Sequence, residues 1–219
     1  MIISHRHQFI FFKTRKTAGT SIEMVLAEHC GPDDVITGIN PASLPAGYTH
    51  PVQNNEGPLA YGHVTPTIIQ RHVATEVWNS YLKIVPIRNP WDRVVSMFWF
   101  RKQEPNWKGL DFNTFVRTFA TGGPPNANHT NIPSHVDFLG ASTTGPIAID
   151  HTIRYEHLQR DIHALAATLN LPLAALPHAK GNYRHDPRPF QEYFDSEHRD
   201  IVATNYANDI ERFNFTFEA

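Results

Sequence analysis

Residues Gln8 to Cys30 read QFIFFKTRKTAGTSIEMVLAEHC, and two different hydrophobic periods meet inside this stretch. Phe9 to Phe12 form an apolar, aromatic run of strand length. From Ser21 onward Ile22, Val25 and Leu26 follow the i, i+3, i+4 spacing of an amphipathic helix. The unit predicted is strand, loop, helix. The loop, Lys13-Thr14-Arg15-Lys16-Thr17-Ala18-Gly19-Thr20-Ser21, is dense in cations, hydroxyls and small residues where the chain leaves the carboxyl end of a buried strand. Such a turn gathers an anion: the first N–H groups of a helix lack intrahelical partners, the helix dipole adds roughly half a positive charge, and Lys or hydroxyl side chains complete the cage.

A nucleotide triphosphate loop would carry two glycines five positions apart, followed at once by Lys and then Ser or Thr. Here Lys16 precedes the only glycine, Gly19, by three residues, so the lysine opens the loop and the hydroxyls close it. That arrangement resembles the 5′-phosphosulfate loop of sulfotransferases, which use 3′-phosphoadenosine 5′-phosphosulfate. The ordinary alternative is a strand-to-helix turn with solvated lysines.

Composition narrows the classes of function. With 219 residues, 41% hydrophobic and 18% charged, the chain has material for one sizeable core and is read as a single domain over 1–219. A formal net charge of -2 supplies no global field for nucleic acid or acidic lipid, so an anion site must be a local cluster. Neither a nucleic-acid nor a membrane partner is expected. The one cysteine, Cys30, excludes an intramolecular disulfide, and no run approaches the ~20 apolar residues of a membrane span. Met1 to His7 lacks the apolar core and cleavage site of a signal peptide, so a cytoplasmic location is expected. The fourteen histidines contain no HExxH pattern, His5 and His7 read as a solvated strand face, and no metal is expected.

After Gly31-Pro32, a helix stop, Asp33 to Pro58 is rich in Pro, Gly, Asn and Thr and reads as a long surface excursion that either lines an acceptor pocket or is a mobile insertion. Leu59 to Pro66 reads as a short strand-like segment entering a helix that starts at Pro66 and carries Ile68, Ile69 and Val73. His63 falls at the junction. Gly62 permits close approach of a ligand to the backbone, and a neutral imidazole is the usual acceptor of a proton near pH 7.

Tyr81 to Ile87 is the next buried strand, followed by Arg88-Asn89-Pro90-Trp91-Asp92-Arg93-Val94-Val95-Ser96-Met97-Phe98. Asn89 is a helix N-cap and Pro90 a first helical residue, so Val94, Val95 and Phe98 are expected against the sheet and Arg88 at the strand tip. Ser96 lies two turns along on the side of Asp92, within reach of a dianion also held by Arg88. Two anion sites on adjacent strands imply one ligand with two separated anionic ends.

The first loop, the Gly62-His63 segment and RNPWDRVVSMF occur in the order found in the sulfotransferase family that includes heparan sulfate 2-O-sulfotransferase and the uronyl and chondroitin enzymes, and the chain resembles that family. The likeness extends more weakly to Ile153-Arg154-Tyr155-Glu156-His157-Leu158, to Leu176-Pro177-His178 and to Asn208-Asp209-Ile210-Glu211-Arg212-Phe213. The resemblance implies a P-loop-like nucleotide-binding fold and a soluble, bacterial-type relative. It also implies 3′-phosphoadenosine 5′-phosphosulfate as donor, with Lys16 and Thr17, Ala18, Gly19, Thr20 and Ser21 on the 5′-phosphosulfate. Arg88 and Ser96 then take the 3′-phosphate, and His63 is the base. Lys13 and Arg15 belong to the same donor loop. The resembled 2-O-sulfotransferases carry His-Gly-His where this chain has Tyr61-Gly62-His63, which leaves acceptor specificity open. Lys180-Gly181 is the only counterpart of the glycine-rich motif of cytosolic sulfotransferases, and Lys180 joins the candidate donor contacts.

The remaining chain reads as scaffold. Asp111 caps a helix carrying Phe112, Phe115, Val116 and Phe119 that ends at Gly122-Gly123-Pro124-Pro125, and Asn126 to Ser134 is loop. Ile147 to Ile153 has strand composition, and Leu158, Ile162, Leu165 and Leu169 form a helical stripe. Arg184 and Arg188 sit in a polar loop, read mainly as solvated cations, and a final helix runs from about Ser196 to Phe213 with Asp195 as cap. Alternating strands and helices give the fold class α/β, a central parallel β-sheet flanked by helices with the ligand at the strands' carboxyl ends. The expected partners are a nucleotide donor and a hydroxyl acceptor, taken as a glycan. The oligomeric state is open. The expected reaction is in-line transfer of a sulfuryl group with His63 as base and Lys16 on the sulfate and bridging oxygen. A phosphotransferase and a non-catalytic nucleotide-binding protein are the alternatives.

Overall fold

A computed structural model describes residues 1–107, 109–121, 132–142, 145–146, 149–172, 175–177 and 183–218. In chain order the elements are β1 (Ile2–Ser4), β2 (Phe9–Phe11), α1 (Gly19–Ala27), β3 (Val35–Ile36), α2 (Pro66–His72), α3 (Thr75–Ser80), β4 (Leu82–Ile87) and α4 (Pro90–Arg101). They continue as α5 (Phe112–Thr121), α6 (His135–Leu139), β5 (Ala141–Ser142), β6 (Gly145–Pro146), β7 (His151–Arg154), α7 (Leu158–Leu169), α8 (Ser196–Asn205) and α9 (Ala207–Phe213). The chain packs as two compact units, Met1–Ile87 with Phe138–Lys180 and Arg88–Asp137 with Gly181–Ala219.

The first unit holds a five-stranded sheet in the order β3-β1-β2-β4-β7. Strands β2, β4 and β7 run parallel, so the strands preceding the two candidate motifs are neighbours, as expected. The sheet is nevertheless mixed: β1 pairs antiparallel with both β2 and β3. The cause is a tight return over residues 5 to 8, where Asp34 accepts the His5 N–H at 2.6 Å and the Arg6 N–H at 3.1 Å while also accepting from Ser4 Oγ at 2.8 Å. A turn this short can join only antiparallel strands.

Register sets Ile2 beside Phe11 and Phe11 beside Ile84, and these residues cluster with Ile22 and Leu26 of α1 and Ile162 and Leu165 of α7. The alternate residue Phe12 meets Trp78 of α3 at 6.3 Å between ring centroids, so helices cover both faces. Burial on both sides explains why Phe9 to Phe12 is apolar without alternation. The segment after α1 is less of an excursion than expected, because Val35 and Ile36 form β3 and Ile36 bridges to Gln53. Leu59 to Pro66 is not a strand: a 3-10 turn at Gly57–Leu59 leads into irregular backbone before α2.

The second unit is helical. Trp91, Val94, Val95 and Phe98 of α4 pack with Phe112, Phe115 and Val116 of α5 and with Val202 and Tyr206. Val94, Val95 and Phe98, expected against the sheet, cluster within this unit with helices and aromatic rings, with Phe98 edge-on to Phe112 at 5.3 Å. Asn89 caps α4 by accepting the Trp91 N–H at 3.1 Å, and Asp195 caps α8 through the His198 N–H at 2.9 Å. The single final helix expected from Ser196 to Phe213 is two. It breaks at Tyr206, whose buried hydroxyl donates to the Ile132 carbonyl at 2.9 Å and whose backbone (φ -118, ψ 25) leaves the helical region. The expected loop stop at Gly122 to Pro125, most of the loop from Asn126, and His178, Lys180 and Gly181 lie outside the described residues. Among the described residues no helix is long and apolar enough to cross a membrane.

Candidate active site

The loop between β2 and α1 is built by its own side chains. Thr14 Oγ1 donates to the Pro86 carbonyl on β4 at 2.5 Å, and Thr17 Oγ1 donates back to the Thr14 carbonyl at 3.1 Å. Lys16 and Ala18 are both held at positive φ, 64° and 59°, a left-handed conformation that costs a non-glycine residue roughly 1 to 3 kcal/mol and persists only where the surroundings impose it. Helix α1 then starts at Gly19. Its N-cap, Ala18, has no polar side chain and makes no side-chain cap. Gly19 is required for space: a Cβ there would lie 3.0 Å from Lys13 Cγ and 3.3 Å from the Thr14 carbonyl oxygen. Lys16 and Arg15 remain half-buried, while Thr20 and Ser21 are buried in the first turn of α1.

Two of the residues expected to face the donor are turned inward. Lys13 is buried and its ammonium pairs with Glu23 Oε2, because Gly19 leaves room for its stem to reach across the first turn of α1. Thr17 spends its hydroxyl on Thr14, so both residues shape the loop from within. Glu23 also accepts from Thr37 Oγ1 at 3.0 Å and from the Met1 amino group at 2.5 Å. Burial alone would push its carboxyl up, but these cations hold it lowered. Glu23 escaped the sequence reading, although one signal existed: it is the single charge between Gly19 and Ala27, a helix buried on every side. A lone carboxylate so placed needs partners.

His63 meets this loop. Its Nδ1 lies 2.8 Å from the Lys13 carbonyl oxygen. A carbonyl only accepts, so Nδ1 carries the proton and Nε2 keeps its lone pair. Burial lowers the His63 pKa to about 3; the positive charges of Lys13 and Arg15 add to that, and the bond to the Lys13 carbonyl opposes it. Beside it the exposed Tyr61 ring stands edge-on to the imidazole at 5.7 Å, and Arg15 Nη2 donates to the Tyr61 hydroxyl at 2.6 Å. Lys13, Arg15, Tyr61 and His63 thus form one connected group. At Gly62 a Cβ would meet Thr37 Oγ1 at 3.6 Å and the Gly38 carbonyl at 3.7 Å, both ordinary contacts.

In the helical unit Arg88 is buried and gives Nε and Nη2 to Asp92 Oδ2, each at 2.8 Å. Its backbone N–H donates to His135 Nε2 at 3.2 Å, and burial holds His135 neutral. Asp209 in turn caps α6 by accepting the His135 N–H at 2.7 Å and the Val136 N–H at 2.8 Å. Ser96 is half-buried, one turn beyond Asp92 on the same face of α4. Arg184 is no solvated cation, since Nη1 reaches Asp92 Oδ1 at 3.3 Å. A cavity of about 390 Å³ also opens in the first unit, lined by Met24, Val25, Glu28, Tyr48 and Pro177 among others, but no candidate site residue borders it. Among the described residues no three His, Cys, Asp or Glu side chains are grouped to hold a metal ion.

The chain thus combines a mixed sheet flanked by helices with a strand-loop-helix turn on which a histidine is fixed. The model of the Sulfotransferase family matches residues 1–216, and the chain belongs to that family. No curated protein and no solved structure matches it significantly. Family membership points to sulfuryl transfer as the reaction.

Proposed function

We propose that the chain transfers the sulfuryl group of 3′-phosphoadenosine 5′-phosphosulfate to a hydroxyl of a carbohydrate acceptor, on a P-loop-like nucleotide site. The observation that carries this reading is the bond from His63 Nδ1 to the Lys13 carbonyl, because it ties an imidazole with a bare Nε2 to the anion-type loop. The residues fit a phosphosulfate: the start of α1 lacks a side-chain cap, and two half-buried cations, Arg15 and Lys16, precede it.

In this reading Lys16 and the backbone of Ala18 to Ser21 neutralise the sulfuryl oxygens and the bridging oxygen, where charge grows as the sulfur–oxygen bond breaks. His63 Nε2 takes the acceptor hydroxyl proton as the acceptor oxygen bonds to sulfur, and 3′-phosphoadenosine 5′-phosphate leaves. Arg88 and Ser96 hold the 3′-phosphate. Lys13 acts as a positioning residue, its ammonium held by Glu23 and its carbonyl fixing the His63 tautomer.

The test is release of 3′-phosphoadenosine 5′-phosphate by the full chain with a panel of saccharide and simple alcohol acceptors. Wild type is expected to form product with a saccharide, and Lys16→Met to lose turnover by far more than it loses product affinity, since the lysine's charge matters most in the transition state. Equal losses in both would make Lys16 a ground-state anchor only, and turnover with simple alcohols alone would overturn the carbohydrate assignment.

A further inference from the structure

Residues 61 to 63 are tied down at every position. The Tyr61 hydroxyl accepts from Arg15 Nη2 at 2.6 Å, the Gly62 carbonyl accepts from the Met1 amino group at 3.3 Å, and His63 Nδ1 donates to the Lys13 carbonyl at 2.8 Å. The segment belongs to no helix or strand, so these bonds fix where its side chains stand. Tyr61 nevertheless faces outward, with 55% of its surface exposed. A single exposed apolar side chain is ordinary on a protein surface and signals nothing by itself. Tyr61 differs in being held at both ends: Arg15 fixes its hydroxyl, and its ring meets the His63 imidazole edge to face, with centroids 5.7 Å apart and planes at 64°. A ring set in this way offers a flat apolar surface with little left to order when a ligand arrives.

A ligand lying on that ring is a neighbour of the imidazole. It has to meet the ring with C–H groups, whose weak positive charge suits the negative face of an aromatic system, and to present a hydroxyl sideways to Nε2. A pyranose does both, since C–H groups line its faces and hydroxyls stand around its rim. A simple aliphatic alcohol brings the hydroxyl without a comparable face. We propose that Tyr61 is the acceptor-recognition residue of this chain, its ring stacking on the pyranose whose hydroxyl faces His63. This rests on the reading of the chain as a transferase acting on a carbohydrate with His63 as base.

Initial rates on the full chain test it, with radiolabelled donor at saturation and a panel of mono- and disaccharide pyranosides as varied acceptors. Tyr61→Ala is expected to raise the KM of the best saccharide acceptor about tenfold with kcat little changed, the mark of binding lost equally from ground state and transition state. Tyr61→Phe and Tyr61→Trp keep a ring and are expected to stay within about threefold of wild type. Tyr61→Phe and Tyr61→Ala lose the Arg15 bond alike, so the difference between them reports the ring. An unchanged saccharide KM in Tyr61→Ala overturns the inference and leaves the transferase reading standing. A Tyr61→Phe variant as impaired as Tyr61→Ala does the same, because the loss then belongs to the Arg15 bond. Failure of wild type to sulfate any saccharide removes the carbohydrate reading and this inference with it.

Discussion

At the scale of single residues, the chemical state of His63 follows from one contact and its burial. The Lys13 carbonyl fixes the proton on Nδ1, and desolvation with the charges of Lys13 and Arg15 holds the pKa at about 3. A depressed pKa keeps the imidazole neutral far into acid, so a rate that needs neutral His63 is retained as pH falls and is lost only near the folded-state value. The profile of kcat/KM for the donor reports the free enzyme and is expected to stay flat from pH 8 down to about pH 5. The negative charge of the proposed donor opposes the effect of Lys13 and Arg15, so the acid limb of kcat, which reports the complex, is expected at higher pH than that of kcat/KM. A kcat/KM limb with a midpoint near the ordinary histidine value of 6.5 would show that His63 is not held in this state. The sequence pointed to His63 through its place between two motifs. Its tautomer was not legible, because the partner is a backbone carbonyl fifty residues away, and any residue type supplies one.

The strand-loop-helix element was read correctly in type and place, and its internal wiring was not. Hydrophobic period located β2 and α1 because burial acts on whole faces. The roles of Lys13 and Thr17 turn on direction, and a loop lysine pointing inward reads the same as one pointing outward. Gly19 is where the wiring can be tested. Gly19→Ala puts a methyl group 3.0 Å from Lys13 Cγ, in contact with the stem that reaches Glu23, and 3.3 Å from a backbone oxygen that cannot swing away. The expected cost is about 1 to 3 kcal/mol in denaturant unfolding, as for overpacked cores. Ala18→Gly, which relieves the left-handed alanine at the next position, is expected to be neutral or stabilising. A Gly19→Ala variant as stable as wild type would mean that Lys13 reaches Glu23 by another path.

For the whole molecule, alternation of strand and helix periods carried the α/β class, and the β2–β4–β7 core follows from it. The antiparallel β1 was missed because a strand of three residues, Ile2–Ser4, is too short to show a period, and what fixes it is Asp34, about thirty residues on. The helical unit was legible as helices but not as a separate aromatic core, since the periodicity of α4 shows which face is buried and not what buries it. The break at Tyr206 likewise depends on a distant carbonyl. The central claim is sulfuryl transfer from a loop on which His63 is the base, and its most direct measurement is transfer of radiolabelled sulfate from the donor by His63→Ala beside wild type, with product affinity determined on the same preparations. The account predicts that His63→Ala binds 3′-phosphoadenosine 5′-phosphate nearly as well as wild type while transfer falls by roughly a hundred-fold or more. A folded, nucleotide-binding His63→Ala with full transfer activity would contradict it.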